Sequence, residues 1–314
     1  MVAVKKDGPG RLNSDRFVSL DGFITYKERQ QIASARVLLA GLGAGSNVAP
    51  LLARDGVGTS GAGEIILADP DSVEGKNLVR QVYREKDLGK NKARAVAKLC
   101  QEINSSIKVS PISEGITKKN LPDLVNRADV VFEMIDVTVP DISFRLHKMA
   151  HCLGKPAIVT LDLGDNTLTR VFINNKHSIS YLSYFGFPPD LTERAYQDLN
   201  PYAIVAQLVI GPYKGRLFVN PEKAAAYYNE GFFSRERNMK NLLARLPSDI
   251  RPLVKDIITG KLKHLPQTGI AGQLLGAIHM KLLQDIILGK KVPDAKFAIK
   301  LYLTDMLTSS TNNS

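Results

Sequence analysis

The chain has no tryptophan and only two cysteines, Cys100 and Cys152, among its 314 residues. Two thiols cannot build a disulfide framework or a four-thiolate zinc site, and so sparse a use of cysteine suits a reducing cytoplasm. Long apolar runs are missing too. No segment reaches the ~18 uninterrupted apolar residues of a membrane span, and the charged stretch Met1 to Gly10 does not lead into the apolar core of a secretory leader. A soluble, unexported, cytoplasmic protein without membrane contact is expected. Internal repeats are absent, and the one biased tract is the polar tail Thr308–Ser314. Acidic residues are the scarcer charge, with 31 Asp+Glu against 42 Lys+Arg and a net charge of +11. The basic residues are scattered (Lys86, Lys90, Lys92 and Arg94; Lys118 and Lys119; Lys261 and Lys263; Lys290 and Lys291). That spread reads as solvated surface, or a face for an acidic partner, before it reads as a nucleic-acid arm.

At 44% hydrophobic and 23% charged residues, the composition belongs to a folded protein, and the length predicts two domains or one large α/β unit. An apolar run from Val37 to Ala40 enters Gly41, Gly43 and Gly45, and a helical pattern (Val48, Leu51, Leu52) follows, which predicts strand, tight turn and helix. Ile65–Ala68 predicts a second strand ending at Asp69, followed by a helix from about Lys90 to Ile103 with Ala93, Val96, Ala97, Leu99 and Cys100 on its buried side. Further strands are expected at Lys108–Ser110, Val130–Ile135 and Ala157–Leu161, with a helix over about Ser143–Leu153, so the strands of this half pair in parallel. Beyond Asp162, Thr167–Ile173 and Ser178–Tyr184 read as a hairpin or meander joined by Asn174-Asn175-Lys176. Residues 186–265, with short polar helices at Glu222–Asn229, Arg237–Leu246 and Ile250–Ile258, read as an inserted, mainly helical region. Ile270, Leu274, Leu275, Ile278, Leu282 and Ile286 then mark a helix over Thr268–Leu288 laced with small residues, suited to close packing.

Two features point to a nucleotide. The turn Gly41-Leu42-Gly43-Ala44-Gly45-Ser46 offers backbone N–H groups at a helix N-terminus, where a phosphate can rest, and Asp69 ends the next strand, where a carboxylate can accept from ribose hydroxyls. A nicotinamide dehydrogenase would need little more. Here the chain continues Asp69-Pro70-Asp71-Ser72-Val73-Glu74-Gly75-Lys76-Asn77-Leu78-Val79-Arg80-Gln81 and then Gly89-Lys90-Asn91-Lys92. This stretch closely resembles the ThiF/MoeB family of adenylating enzymes, the ubiquitin-activating-enzyme-like fold, with its D-x-D-x-V-E-x-x-N-L-x-R-Q loop and G-x-x-K helix start. The lead-in from Arg16 to Gln31 and the late Leu265-Pro266-Gln267-Thr268-Gly269 are similar to the family's as well.

The resemblance implies a Rossmann-like three-layer α/β/α fold with a mainly parallel sheet and a helical C-terminal insertion. It divides the chain into a helical lead-in (1–35), a nucleotide-binding domain (36–185), an insertion for substrate or partner (186–265), and a helix returning to the main domain with a tail (266–314). It implies ATP and Mg²⁺, with the positions matching Arg80 and Lys92 catalytic and Asp69, Asp71, Asn77 and Gln81 around the nucleotide. A carboxylate attacking the α-phosphate of ATP accumulates negative charge, which fixed cations stabilise; Arg80 supplies a planar fork and Lys92 a point charge. Members also carry an aspartate near the phosphates and metal; Asp136, at a strand's C-terminal end, is the first choice here and Asp141 the second.

Two departures stand out. Gly41–Gly45 is one residue shorter than the family's G-x-G-G-x-G turn, and Arg16 matches only loosely an arginine that reaches a neighbouring subunit's site, which would make the protein a homodimer. Both cysteines are expected to be buried packing residues, leaving adenylation without an evident thiol transfer. The substrate class implied is the C-terminal carboxylate of a ubiquitin-like or sulfur-carrier protein, or of a peptide. A carboxylate on a modified tRNA base and a non-catalytic partner subunit are the alternatives.

Overall fold

In the computed structural model the residues described are 14–20, 22–136, 139–188, 195, 243–244, 251–258, 261, 267–293, 295 and 299–301. A Thr25/Glu28 capping box opens helix α1 (Tyr26–Ala33), with the Thr25 amide donating to Glu28 Oε2 at 2.8 Å. The chain then alternates: β1 (Arg36–Ala40), α2 (Gly45–Arg54), β2 (Glu64–Ala68), α3 (Lys92–Ile103), β3 (Val109–Ile112), α4 (Leu121–Arg127), β4 (Val130–Glu133), α5 (Pro140–Cys152), β5 (Ala157–Leu163) and β6 (Asn166–Phe172). A short helix α6 (Tyr181–Tyr184) follows, then α7 (Arg251–Ile258), α8 (Gly269–Ile287) and β7 (Ile299–Leu301).

Among the described residues, seven strands form one sheet in the order β3-β2-β1-β4-β5-β6-β7. β3 to β5 are parallel, in registers such as Leu38 beside Ile66 and Val131, and β6 and β7 run antiparallel. Strand alternation divides the core. Val37, Leu39, Ile65, Leu67 and Phe132 pack against α2, α3 and α8, while Leu38, Ala40, Ile66 and Val131 pack against α4 and α5. The expected three layers are therefore present. The chain winds outward from β1 to β3 and returns on the other side of β1 as β4. The carboxyl ends of β1 and β4 thus form a topological switch point, where open α/β sheets bind ligands.

Three expectations are corrected. The hairpin lies between β5 and β6, turning at Gly164 (φ +59°), and Ser178–Tyr184 is not its second strand. Asn174 takes φ +58° and donates through Nδ2 to the Lys155 carbonyl at 2.7 Å, which stops the strand; Ser180 then caps α6 by accepting from the Ser183 amide at 3.1 Å. A helical turn rather than a strand lets Tyr181 and Tyr184 both reach Phe172, beside Phe144 and Phe185. Second, α8 buries Ala271, Gly272, Leu275, Gly276, His279, Met280, Leu282 and Leu283, and leaves Ile270 47% exposed. Its small residues decide the face, because they allow α8 to approach the backbone of α2: a Cβ on Gly276 would lie 3.2 Å from the Asn47 carbonyl oxygen. Third, Leu99 is only half-buried. Within the expected insertion, the helix Arg251–Ile258 is present and residues 243 and 244 are helical, while Glu222–Asn229 lies outside the described residues.

Candidate active site

The glycine turn after β1, the loop after β2 and the end of β4 converge at the switch point. Gly41 has φ +94°, and a Cβ there would collide with the Met134 carbonyl oxygen, so only glycine fits between β1 and β4. The buried Asp69 carboxylate braces this turn: Oδ2 accepts from the Leu42 amide at 2.6 Å and Oδ1 from the Asp71 amide at 2.9 Å. Burial raises its pKa, against the pull of the Leu42 amide and Lys92. The Tyr83 hydroxyl donates to the Leu42 carbonyl at 2.8 Å. Beyond Leu42, the amides of Gly43, Ala44 and Gly45 open α2, where a helix has no acceptors of its own for its first N–H groups.

Lys92 begins α3 and is only 8% exposed, with Nζ 2.8 Å from Asp71 Oδ2. A solvated helix lysine would not be so covered. Asn91 caps α3 by accepting from the Arg94 amide, and its Nδ2 donates to the carbonyls of Asp69 at 3.0 Å and Asp71 at 3.2 Å. Asn91 therefore latches the Asp69 loop to the helix that carries Lys92. In the same loop Asn77 is buried and accepts from the Glu74 amide at 2.8 Å, while its carbonyl accepts from the Gln81 amide at 2.9 Å.

Arg80 is held from two sides. Asn47 Nδ2, on α2, donates to its carbonyl at 3.1 Å, and its guanidinium Nη1 donates to Gln267 Oε1, just before α8. A surface pair with Glu74 is not formed; Glu74 pairs with Lys76 at 2.7 Å. Gln81 is buried, its Nε2 3.6 Å from where a Cβ on Gly43 would stand, and its Oε1 has no protein partner.

Asp136 follows Ile135, whose amide lies against Gly41 and donates to Glu133 Oε1 at 3.0 Å. It is exposed at the switch point, and its carbonyl accepts from the Val139 amide at 3.0 Å. Asp141 instead lies in the first turn of α5, 4.0 Å from Arg145 Nε. Arg16 is not brought to the turn within the chain: its Nη1 donates to the Ile103 carbonyl at 3.2 Å, at the end of α3 roughly 17 Å from the end carrying Lys92.

The cysteine expectation holds for one residue only. Cys100 is buried, which pushes its thiol up to about 12, but Cys152 is exposed in the last turn of α5, beside exposed His151 and Leu153. It sits at the end of α5 about 18 Å from the helix's site-facing start. Three site residues escape the sequence reading. Asn91 carries a signal in its N-cap position before an apolar-periodic helix; Tyr83 carries none. Asp162, near the carboxyl end of β5, is 5% exposed, and burial pushes its carboxyl up to about 6 against the pull of the Thr167 side chain and, less strongly, the charge of Arg80.

A model of the ThiF family matches residues 16–312. Among curated relatives, the chain is 33% identical over 121 residues to the sulfur carrier protein ThiS adenylyltransferase of Escherichia coli, covering 38% of this chain and 44% of that protein. It is 31% identical over 163 residues to the maize (Zea mays) adenylyltransferase and sulfurtransferase MOCS3-1, covering 51% and 33%. The chain thus spans less than half the length of these relatives. The crystal structure of E. coli MccB with ATP superposes with a TM-score of 0.55 at 18% identity, over 88% of this chain and 63% of that one, a likeness of fold. With the glycine turn, the Asp69–Gln81 loop and Lys92 gathered at one switch point and the family's pattern running nearly end to end, the chain belongs to the ThiF family.

Proposed function

We propose that the protein is an ATP-dependent adenylyltransferase that activates a carboxylate as an acyl-adenylate and releases pyrophosphate. The observation that carries this reading is the buried Lys92 and the doubly anchored Arg80 beside a helix N-terminus, all at the β1/β4 switch point. Fixed cations in a partly desolvated cleft are what a reaction concentrating charge on phosphate oxygens needs. The names of the relatives, as adenylyltransferases, support it.

The residues present fit a nucleotide. Gln81 Oε1 is a buried acceptor without a protein partner, and Gly43 leaves open the space in front of its side chain. Gly43, Ala44 and Gly45 would receive phosphate oxygens on their amides, Asp69 and Asn77 would hold the nucleoside end, and Arg80 and Lys92 would carry the charge that develops. Gly41 and Gly45 shape the turn, and Asp71 keeps Lys92 in place until phosphate competes for it. Among the described residues no group of three or more His, Cys, Asp or Glu side chains is arranged to hold a metal alone. One carboxylate, Asp136, is the donor set a phosphate-bound Mg²⁺ requires. Mg²⁺ would neutralise phosphate charge there.

The substrate class we favour is a ubiquitin-like or sulfur-carrier protein, or a peptide, with a free C-terminus, selected by residues 186–265. The names of relatives as a ThiS adenylyltransferase and, in Haloferax volcanii, a SAMP-activating enzyme E1 support it, and a net charge of +11 suits an acidic partner. A homodimer in the cytoplasm, with Arg16 reaching the partner's site, is part of the same reading.

Arg80→Ala and Lys92→Ala should each lower ATP–pyrophosphate exchange by ~10²-fold or more while the far-UV spectrum is unchanged; exchange within a few-fold of the unmodified protein refutes the assignment. A Cys100→Ala/Cys152→Ala variant should retain turnover, and its loss with folding intact would require a thiol step.

A further inference from the structure

The β5–β6 hairpin holds a buried polar pair outside the residues assigned above. Asp162 is paired across the hairpin with Thr167, and both are buried; Asp162 Oδ1 and Thr167 Oγ1 have no partner in good hydrogen-bond geometry, so the Thr167 hydroxyl lies near enough to favour the carboxylate without closing a bond to it. A buried carboxylate oxygen left without a donor is expensive, and a fold does not retain one without a compensating interaction. The nearby cation is Arg80. The hairpin also reaches Arg80 through its turn: Gly164 bridges to Gln267, its carbonyl accepts from the Thr268 amide at 3.1 Å, and Gln267 in turn accepts from the Arg80 guanidinium. The hairpin thus carries the anion whose charge acts on Arg80, and its turn is joined to the segment that holds the neutral acceptor Gln267.

We propose that Asp162 is a positioning residue for Arg80: a buried counter-charge that aims the guanidinium in the empty site and gives it up to the triphosphate on nucleotide binding. This deepens the adenylation reading and rests on it. Before ATP arrives, Asp162 opposes the charge of Arg80, and Gln267 fixes one edge of the fork. When phosphate oxygens approach, Arg80 gains a stronger anion, while Asp162 is left desolvated next to added negative charge. Its carboxylate then becomes harder to keep ionised, and a proton is taken up from solvent onto Asp162. The groups facing it from the elements around are Arg80 from the loop after β2, Thr167 from β6 and, two residues along the same face of β5, Thr160 with the buried neutral His279 of α8. Of these neighbours of the Asp162 carboxylate, Arg80 is the cation.

The test is titration calorimetry with Mg-ATP alone, in buffers of differing ionisation enthalpy between pH 6 and 8, on the full chain as wild type, Asp162→Asn, Arg80→Ala and the double variant. The wild type should take up more protons than Asp162→Asn on binding, and Asp162→Asn should bind ATP severalfold more tightly at pH 7.5, since a carboxylate repelling phosphate is gone. In the Arg80→Ala background the same substitution should change affinity by a different factor, fivefold or more from additivity. A carboxylate with a purely structural role would not alter the proton count. Equal proton uptake in wild type and Asp162→Asn, or additive effects of the two substitutions, overturns the inference while leaving ATP binding intact. Failure of the wild type to bind ATP overturns the adenylation reading and the inference with it. If Asp162→Asn misfolds, Thr167→Val, which leaves the carboxylate in place, should keep the proton uptake; its loss there would contradict the assignment to Asp162.

Discussion

Two buried titratable groups on neighbouring elements pull stability in opposite directions as pH changes. Asp162 has its carboxyl raised to about 6 by burial, so the folded chain holds that proton more tightly than the unfolded one. The resulting penalty is fully present above about pH 6 and is relieved as pH falls toward the ordinary carboxylate value. Its size is on the order of 2–3 kcal/mol. His279 is the reverse. Its Nδ1–H donates to the Leu275 carbonyl at 2.9 Å, Nε2 lies 3.3 Å from Thr160 Oγ1, and burial lowers its pKa to about 4. Stability from the neutral ring is present above about pH 6.5 and is lost as pH falls toward 4. Asp162→Asn should therefore raise the melting temperature at pH 7.5 by on the order of 5 °C and should make acid destabilisation between pH 6.5 and 4 steeper, because His279 is then unopposed. Thermal melts across that range check both. A lower melting temperature at pH 7.5 would mean that the carboxylate supports the fold. A buried carboxyl that weakens the fold near the arginine proposed to act on phosphate is the pattern expected of a functional group.

At the scale of elements, the two glycines at the switch point answer to different demands. Gly41 sits at φ +94° against the Met134 carbonyl, whereas the nearest atom to a Cβ on Gly43 is Gln81 Nε2 at 3.6 Å. Gly41→Ala should destabilise the protein by about 2 kcal/mol or more, read as a shift in denaturant midpoint. Gly43→Ala should leave that midpoint within about 0.5 kcal/mol and weaken ATP binding. Equal destabilisation by both would mean that the turn serves packing alone. The parallel half was legible because each of its strands is a short apolar run ended by a turn signal, and because the Asp69–Gln81 loop is dense in specified polar positions. Ser178–Tyr184 was not legible: Ser-Tyr-Leu-Ser-Tyr alternates like a strand and also places Tyr181 and Tyr184 one helical turn apart, and the aromatic cluster around Phe144 decided between them. The buried face of α8 followed its glycines, since a helix can move nearer its neighbour only where side chains are small. Asp162 had no local signal, since its role comes from the antiparallel pairing with Thr167 and from a loop some eighty residues earlier in the chain.

At the scale of the molecule, the site depends on a helix that returns from far along the chain. α8 lies across α2, with Gly272 against Asn47 and the Arg80 carbonyl, and Gln267 at its start grips the Arg80 side chain. The start of α8 is thereby tied to Arg80; on the proposed reading, an acyl substrate held by residues 186–265 would act on the same group that faces phosphate. With a net charge of +11, association with an acidic protein should weaken moderately with added salt, whereas a tRNA substrate should show the steep dependence of counterion release. The most direct test of the central claim is ATP–pyrophosphate exchange with labelled pyrophosphate and Mg²⁺, adding in turn purified sulfur-carrier or ubiquitin-like proteins and peptides with free C-termini. Exchange should appear with such a carboxylate and fall by ~10²-fold in Arg80→Ala and Lys92→Ala. Exchange that persists undiminished in both variants, or a protein that binds no ATP, would contradict it.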